Sequence, residues 1–155
     1  MNEVLISLGS NIEPEKNLVR AVSMLRNEID FLKLSSVIET ASDGTAGPNF
    51  LNAAACFQTF FTDEQLKNEI LRKMESQLGR IRTHDKNAPR TIDMDIVIFN
   101  RKVIESKIWN RIYLSFPLSE LLPDLINPES GQTLLQTALE LKERSFWKAR
   151  PDIVL

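Results

Sequence analysis

Asp93 and Asp95 stand two residues apart in Pro89-Arg90-Thr91-Ile92-Asp93-Met94-Asp95-Ile96-Val97-Ile98-Phe99, a stretch that reads as a buried β-strand. Alternate strand residues share a face, so both carboxylates project together while Ile92, Met94 and Ile96 turn to the other side. Carboxylate oxygens suit Mg2+, which keeps several waters and takes one or two protein carboxylates plus substrate phosphates. The same spacing occurs on solvated edge strands, where acidic residues discourage edge-to-edge pairing. The apolar run Val97-Ile98-Phe99 argues instead for an interior strand, where two carboxylates are costly without a cation.

Residues 80 to 89 form a polar connection carrying Arg80, Arg82 and Lys86, and it leads through Arg90 into the acidic strand. Cations beside a carboxylate pair are what phosphoryl-type transfer needs: a metal to clamp phosphate oxygens, and guanidinium groups to stabilise charge in the transition state. Arginine binds phosphate through a planar fork, whereas Lys86 offers a point charge. The plainer reading of these arginines is a solvated loop. No Gly-x-x-x-x-Gly-Lys-Ser/Thr sequence and no protein-kinase signature set occurs, so side chains must hold any phosphate. His84, the only histidine, lies in the polar loop and receives no role.

The elements that must position these groups follow from patterning. Glu3 to Leu8 reads as a first strand ended by Gly9-Ser10-Asn11; Pro14 opens a helix whose inward face is Leu18, Val22, Leu25 and Ile29. Leu32 to Thr40 is expected as a second strand, Ala41 to Asn49 as a loop with Gly44, Gly47 and Pro48, and Phe50 to Phe61 as a third strand. Thr62-Asp63-Glu64-Gln65 is a capping-box signature for a helix with Leu66, Ile70, Met74 and Leu78 inward, ending near Gly79. Strand-helix-strand-strand-helix-strand is the split βαβ order of a ferredoxin-like α+β sandwich, with helices expected on one face of an antiparallel sheet. Beyond it the pattern predicts an edge strand from Val103 to Ile108, a helical turn from Pro117 to Leu122, and a helix from Thr133 to Glu143 with Leu134, Leu135, Ala138 and Leu139 apolar.

A chain of 155 residues, 43% apolar and 26% charged, is expected to form a single domain spanning 1 to 155. Nineteen basic against twenty-one acidic residues give a formal charge of -2, which supplies no global field for a nucleic-acid or membrane partner. Cys56 alone makes no internal disulfide and no thiolate cluster. With no leader-like start and no bilayer-length apolar run, the expected location is cytoplasmic and the expected state a monomer.

Four stretches together resemble the 6-hydroxymethyl-7,8-dihydropterin pyrophosphokinase family over most of the chain: Leu8-Gly9-Ser10-Asn11, Phe50-Leu51-Asn52-Ala53-Ala54, Gly79-Arg80-Ile81-Arg82 and Pro89-Arg90-Thr91-Ile92-Asp93-Met94-Asp95-Ile96. The last is the most specific. The resemblance implies a ferredoxin-like sandwich with added elements, ATP and a pterin alcohol as substrates, and two Mg2+ ions at the active site. It makes Asp93 and Asp95 the metal-binding aspartates and Arg80 and Arg90 the catalytic-loop arginines. It assigns Glu75, Arg82, Ile96 and Arg111 to the nucleotide. It also sets Phe50, Asn52 and Tyr113 around the pterin, with Thr40 beside that pocket.

The sequence departs from the family in two places. Asn87 stands where members usually carry a Trp ahead of the Pro-Arg, and a Pro-His-containing stretch before the Arg-x-Phe segment is absent, so Ile104 to Trp109 run straight into Asn110-Arg111. Trp109 is the aromatic nearest that deletion. A non-catalytic pterin-binding paralogue and an enzyme acting on an altered substrate stay open as alternatives, while a nucleic-acid module is disfavoured by the absence of paired sheet aromatics.

Overall fold

The structure, a computed structural model, describes residues 1–42 and 47–155; the central part of the expected loop from Ala41 to Asn49 lies outside the described residues. The chain runs through β1 (Asn2–Ser10), α1 (Pro14–Glu28), β2 (Lys33–Leu34), β3 (Ile38–Thr40) and β4 (Phe50–Thr59). Next come α2 (Asp63–Gln65), a π-helical turn (Leu66–Leu71) and α3 (Arg72–Gln77), which follow one another without a break. The remainder is β5 (Asp93–Phe99), β6 (Lys102–Val103), a 3-10 helix (Ser106–Trp109), α4 (Ile112–Leu121), α5 (Leu134–Arg144) and β7 (Trp147–Ala149).

The strands lie in the order β6-β5-β1-β4-β3-β7, with β2 also paired to β4 and every pairing antiparallel. Its central part, β5-β1-β4-β3, is the sheet order that the split βαβ pattern demands. Pro14 stands in the first turn of α1, where its missing N–H costs nothing, and the helix buries Leu18, Val22 and Leu25. The capping box is present: Thr62 Oγ1 accepts from Gln65 N at 3.2 Å, and Gln65 Oε1 accepts from Thr62 N at 3.0 Å.

Several expectations need correction. Helices cover both faces of the sheet, not one: α1 and the 63–77 rod close one core, while α4 and α5 close a second built on Leu5, Ala54, Val97 and Ile98. The physical reason is visible in β1 and β4, where Val4, Leu5, Ile6, Ala53, Ala54 and Ala55 are all fully buried, as continuous apolar runs in doubly covered strands are. The strand expected over Leu32 to Thr40 is broken, and pairing with β4 advances by one residue between Leu34 opposite Ala55 and Ile38 opposite Asn52. Ser35 and Ser36 sit in that bulge: buried Ser35 stays on β4, its Oγ accepting from Ala54 N at 2.7 Å, while exposed Ser36 turns away and its Oγ donates to Glu120 at 2.5 Å.

The edge strand expected over Val103 to Ile108 is only two residues long and gives way to the 3-10 helix. The expected turn at Pro117 to Leu122 is the second half of the ten-residue α4, with Pro117 inside the helix. In α5 the buried face is Leu134, Ala138 and Leu141, while Leu135 and Leu139 point to solvent. β7 had no strand signal in the sequence, and it pairs with β3 so that Trp147 stands opposite Thr40. No helix among the described residues is long and apolar enough to cross a membrane.

Candidate active site

β5 carries the two aspartates, and its register explains their setting. Asp93 and Asp95 pair opposite Gly9 and Ser7 of β1, but β6 reaches only Ile98 and Phe99 on the other side. A one-residue bulge at Val97 separates the two halves of the strand, since Leu5 pairs with Ile98 and Ile6 with Ile96. The apolar half is therefore interior, as expected, whereas the acidic half lies at the sheet margin. Met94 and Ile92 are buried on the core side; Asp93 is half-buried and Asp95 is exposed, so the expectation of two buried carboxylates holds for neither.

The two carboxylates have different partners. Asp93 Oδ1 accepts from Arg80 Nη1 at 2.6 Å, and its Oδ2 accepts from Arg90 Nη1 at 2.8 Å. Burial pushes the Asp93 carboxyl up, but the two guanidinium groups outweigh it and hold the group below the ordinary value. The Arg80 guanidinium is desolvated too, yet Asp93 and Glu75 keep it above its usual range. The Asp95 carboxyl is pushed up to about 7, first by desolvation and then by the negative charge of Asp93 and Glu75. One carboxylate is thus neutralised by protein cations while its neighbour is crowded by negative charge.

Behind Asp93, Glu75 of α3 is 3% exposed and fully engaged. Its Oε2 accepts from Arg80 and from Met94 N, and its Oε1 accepts from Arg82 Nη2 at 2.9 Å. In this state Glu75 and Arg80 act as a clamp between α3 and β5, with neither lining the cleft described next. Arg82 stands beside them with its side chain half exposed.

A cleft of about 380 Å³ opens over the margin of the sheet. Thr40, Phe50, Asn52 and Tyr113 line one part of it; Arg90, Asp93 and Asp95 line the other. Asn52 is buried in β4 and donates through Nδ2 to Thr40 Oγ1 at 2.8 Å, which fixes the amide's orientation. Gly9 lies beside it, and a Cβ there would stand 3.5 Å from Asn52 Oδ1 and 3.7 Å from Phe50. A side chain at position 9 would therefore come into ordinary contact with the Asn52 amide, a group able to donate to and accept from a heterocycle edge.

Of the twelve residues to which the resemblance gives a role, seven meet in this cleft, while Glu75, Arg80 and Arg82 form the clamp behind it. Ile96 packs against the first core instead of facing the cleft. Arg111 occupies the N-cap position of α4, two residues before Tyr113, and does not line the cleft. Trp109 packs against the second core and supplies no wall. Asn87 does line the cleft, with its backbone N–H held by Asp85 Oδ1 at 2.9 Å.

Asn11 has a role that sequence reasoning missed. Its Oδ1 accepts from Arg90 N at 2.7 Å, and its backbone N–H donates to Arg90 O at 3.1 Å, so the end of β1 grips the residue preceding the acidic strand from both sides. Ser10 Oγ adds a bond to Thr91 O at 2.5 Å. The only available signal was the Gly9-Ser10-Asn11 motif itself, whose partners lie about 80 residues away in the chain.

An α+β sandwich whose cleft joins a carboxylate pair, the guanidinium group of Arg90 and an amide-and-aromatic pocket fits an enzyme of the phosphoryl-transfer class. The family model described as 7,8-dihydro-6-hydroxymethylpterin-pyrophosphokinase matches residues 5–123, and the chain belongs to that family. The chain is 26% identical to a 2-amino-4-hydroxy-6-hydroxymethyldihydropteridine pyrophosphokinase of Synechocystis, over 97% of this chain and 82% of that protein. It is 34% identical to the protein of the same name from Bacillus subtilis, over 77% of this chain and 78% of the relative. Among solved structures it is similar to the wild-type HPPK-DHPS of Plasmodium falciparum, with a TM-score of 0.67 at 11% identity, over 93% of this chain and 44% of that one. That likeness bears on the fold, and the chain spans less than half of the Plasmodium protein.

Proposed function

We propose that this chain transfers the pyrophosphoryl group of ATP to the hydroxymethyl group of 6-hydroxymethyl-7,8-dihydropterin, releasing AMP. The observation that carries the reading is that one cleft holds both the acidic strand and the Asn52 pocket, so a pterin alcohol and a polyphosphate can meet there.

Asn52, pre-set by Thr40, hydrogen-bonds the pterin edge, while Phe50 and Tyr113 pack on the ring. The substrate hydroxyl attacks the β-phosphorus and releases its proton to solvent; the new O–P bond forms as the bond to the α-phosphate oxygen breaks, and its electron pair leaves with AMP. Arg90 and, through Asp93, Arg80 fix the charge distribution around the reacting phosphates. No protein nucleophile is needed: positioning and preorganised charge supply the rate.

The residues fit a magnesium-dependent reaction. Asp95, crowded by the charges of Asp93 and Glu75, is the group a cation would relieve most. No cluster of three or more His, Cys, Asp or Glu able to hold a metal occurs among the described residues, which suits Mg2+ completed by water and ATP oxygens better than a closed protein cage. Two ions, held by Asp95 and Asp93, would neutralise the phosphate oxygens. The protein acts as a cytoplasmic monomer in this reading. The test is AMP formation from ATP with and without the pterin alcohol: pterin-dependent AMP supports the assignment, and pterin binding without AMP would replace it by a non-catalytic relative.

A further inference from the structure

The cations that face the cleft are not equivalent. Arg90 is committed: it bonds Asp93, the carbonyl of Lys86 and, at 3.5 Å, the carbonyl of Ala88. Arg80 and Arg82 are spent on Glu75 and Asp93 behind the cleft. Two lysines remain on the lining, Lys86 and Lys107, both exposed and neither in an ion pair among the described residues.

They differ in how they are mounted. Lys86 lies in the irregular connection between α3 and β5. Lys107 belongs to the 3-10 helix, and its backbone is held on both sides: its N–H donates to Glu105 Oε1 at 3.1 Å, and its carbonyl accepts from Asn110 N at 3.1 Å and Arg111 N at 2.9 Å. The next residue, Ile108, is fully buried in the second core, and its carbonyl accepts from Ser115 Oγ. The short helix is thus nailed to α4, and it brings Lys107 to the lining of the cleft that contains Asp95.

We infer that Lys107 is a polyphosphate-binding residue of this chain, a cation supplied from the 3-10 helix to the nucleotide's phosphates. The inference rests on the reading of the cleft as the ATP site. Asp93 and Glu75 already hold Arg80, Arg82 and Arg90 in ion pairs, so a lining cation outside those pairs adds positive charge for a bound triphosphate that these arginines share with the protein's own carboxylates. An ammonium on a rigid mount loses less freedom in that contact than one on an irregular loop. Glu105 also lines the cleft, but its carboxylate is turned onto the Lys107 backbone, which keeps the two side chains of this segment in separate roles.

The test is calorimetric titration of the intact protein with α,β-methylene-ATP and MgCl2, and separately with AMP, on wild type, Lys107→Met and Lys107→Arg. Lys107→Met is expected to weaken the triphosphate analogue by roughly tenfold, to leave AMP and pterin affinity unchanged, and to be largely rescued in Lys107→Arg. A Lys107→Met protein that binds the analogue as tightly as wild type overturns the assignment and leaves the reaction intact. Wild-type protein that binds no analogue overturns the ATP reading itself, and the role of Lys107 with it. Because the side chain is solvent-exposed, unchanged pterin affinity also shows that the variant is folded.

Discussion

Arg90 and Asp93 meet at 2.8 Å, three residues apart across the start of β5, whereas Asp95 forms no ion pair among the described residues. Two aspartates on one strand face are thereby driven apart: one is kept charged by guanidinium groups, and the other is held partly protonated near neutral pH. Asp95 is thus ready to exchange its proton for a cation, whereas Asp93 would take one in competition with Arg80 and Arg90.

Asp95→Asn is expected to cut AMP formation by at least about a hundredfold, because charge compensation at the phosphates is lost. Pterin affinity, which depends on Asn52 and its neighbours, is expected to stay within about twofold. Turnover and pterin titration on the same preparation check both, and an active variant removes Asp95 from the mechanism.

The Asp95 carboxyl, at about 7 in the folded chain against 3.8 for the free group, gives two linked pH effects. The folded state keeps a proton that the unfolded chain loses first, so this group favours folding below about pH 4, and that contribution disappears as pH rises through 7. Asp95→Asn should therefore melt higher than wild type at pH 8, with the difference closing towards pH 4. Binding of Mg2+ with α,β-methylene-ATP should release a proton at pH 6 and almost none at pH 8.5, as read by calorimetry in buffers of different ionisation enthalpy.

Glu75→Gln leaves two guanidinium groups short of their carboxylate in a site where Glu75 is 3% exposed. Breaking such a buried arrangement costs about 3 kcal/mol. Urea unfolding should show that loss, accompanied by lower turnover because Arg80 no longer sits fixed against Asp93.

Asn11→Ala removes the acceptor for Arg90 N and leaves that N–H unsatisfied, at a cost of about 1 to 3 kcal/mol. Arg90 should then be misplaced, so kcat is expected to fall more than pterin affinity. Thr62→Ala serves as the contrasting case. Loss of its cap should cost about 1 kcal/mol in unfolding and leave turnover unchanged, because Thr62 lines no part of the cleft.

The ferredoxin-like order was legible because each element carries a local signal: Pro14 opening α1, the Thr62–Gln65 box opening the 63–77 rod, and alternation around Asp93 and Asp95. The bulge between β2 and β3 was not, since it depends on Ser36 finding Glu120, 84 residues distant, and local propensity contains nothing of that partner. Which residues of the apolar stripe in α5 are covered was not legible for a similar reason: periodicity identifies the stripe, but the neighbouring α4 decides which side of it is buried, and Leu135 and Leu139 stay exposed.

By itself the sequence determined which side chains are candidates for the chemistry. Asp93, Asp95, Arg90, Phe50, Asn52 and Tyr113 are chemically apt groups in recognisable short segments, and residue type and local period survive folding. Only the tertiary structure decided how those groups are charged and which are in reach. Whether a carboxylate meets arginines, as Asp93 does, or stands crowded by negative charge, as Asp95 does, is set by the packing of α3 and β1 against β5. Electrostatic energy depends on distances of a few ångströms between residues remote in the chain, and those distances exist only once the sheet and its two cores have formed.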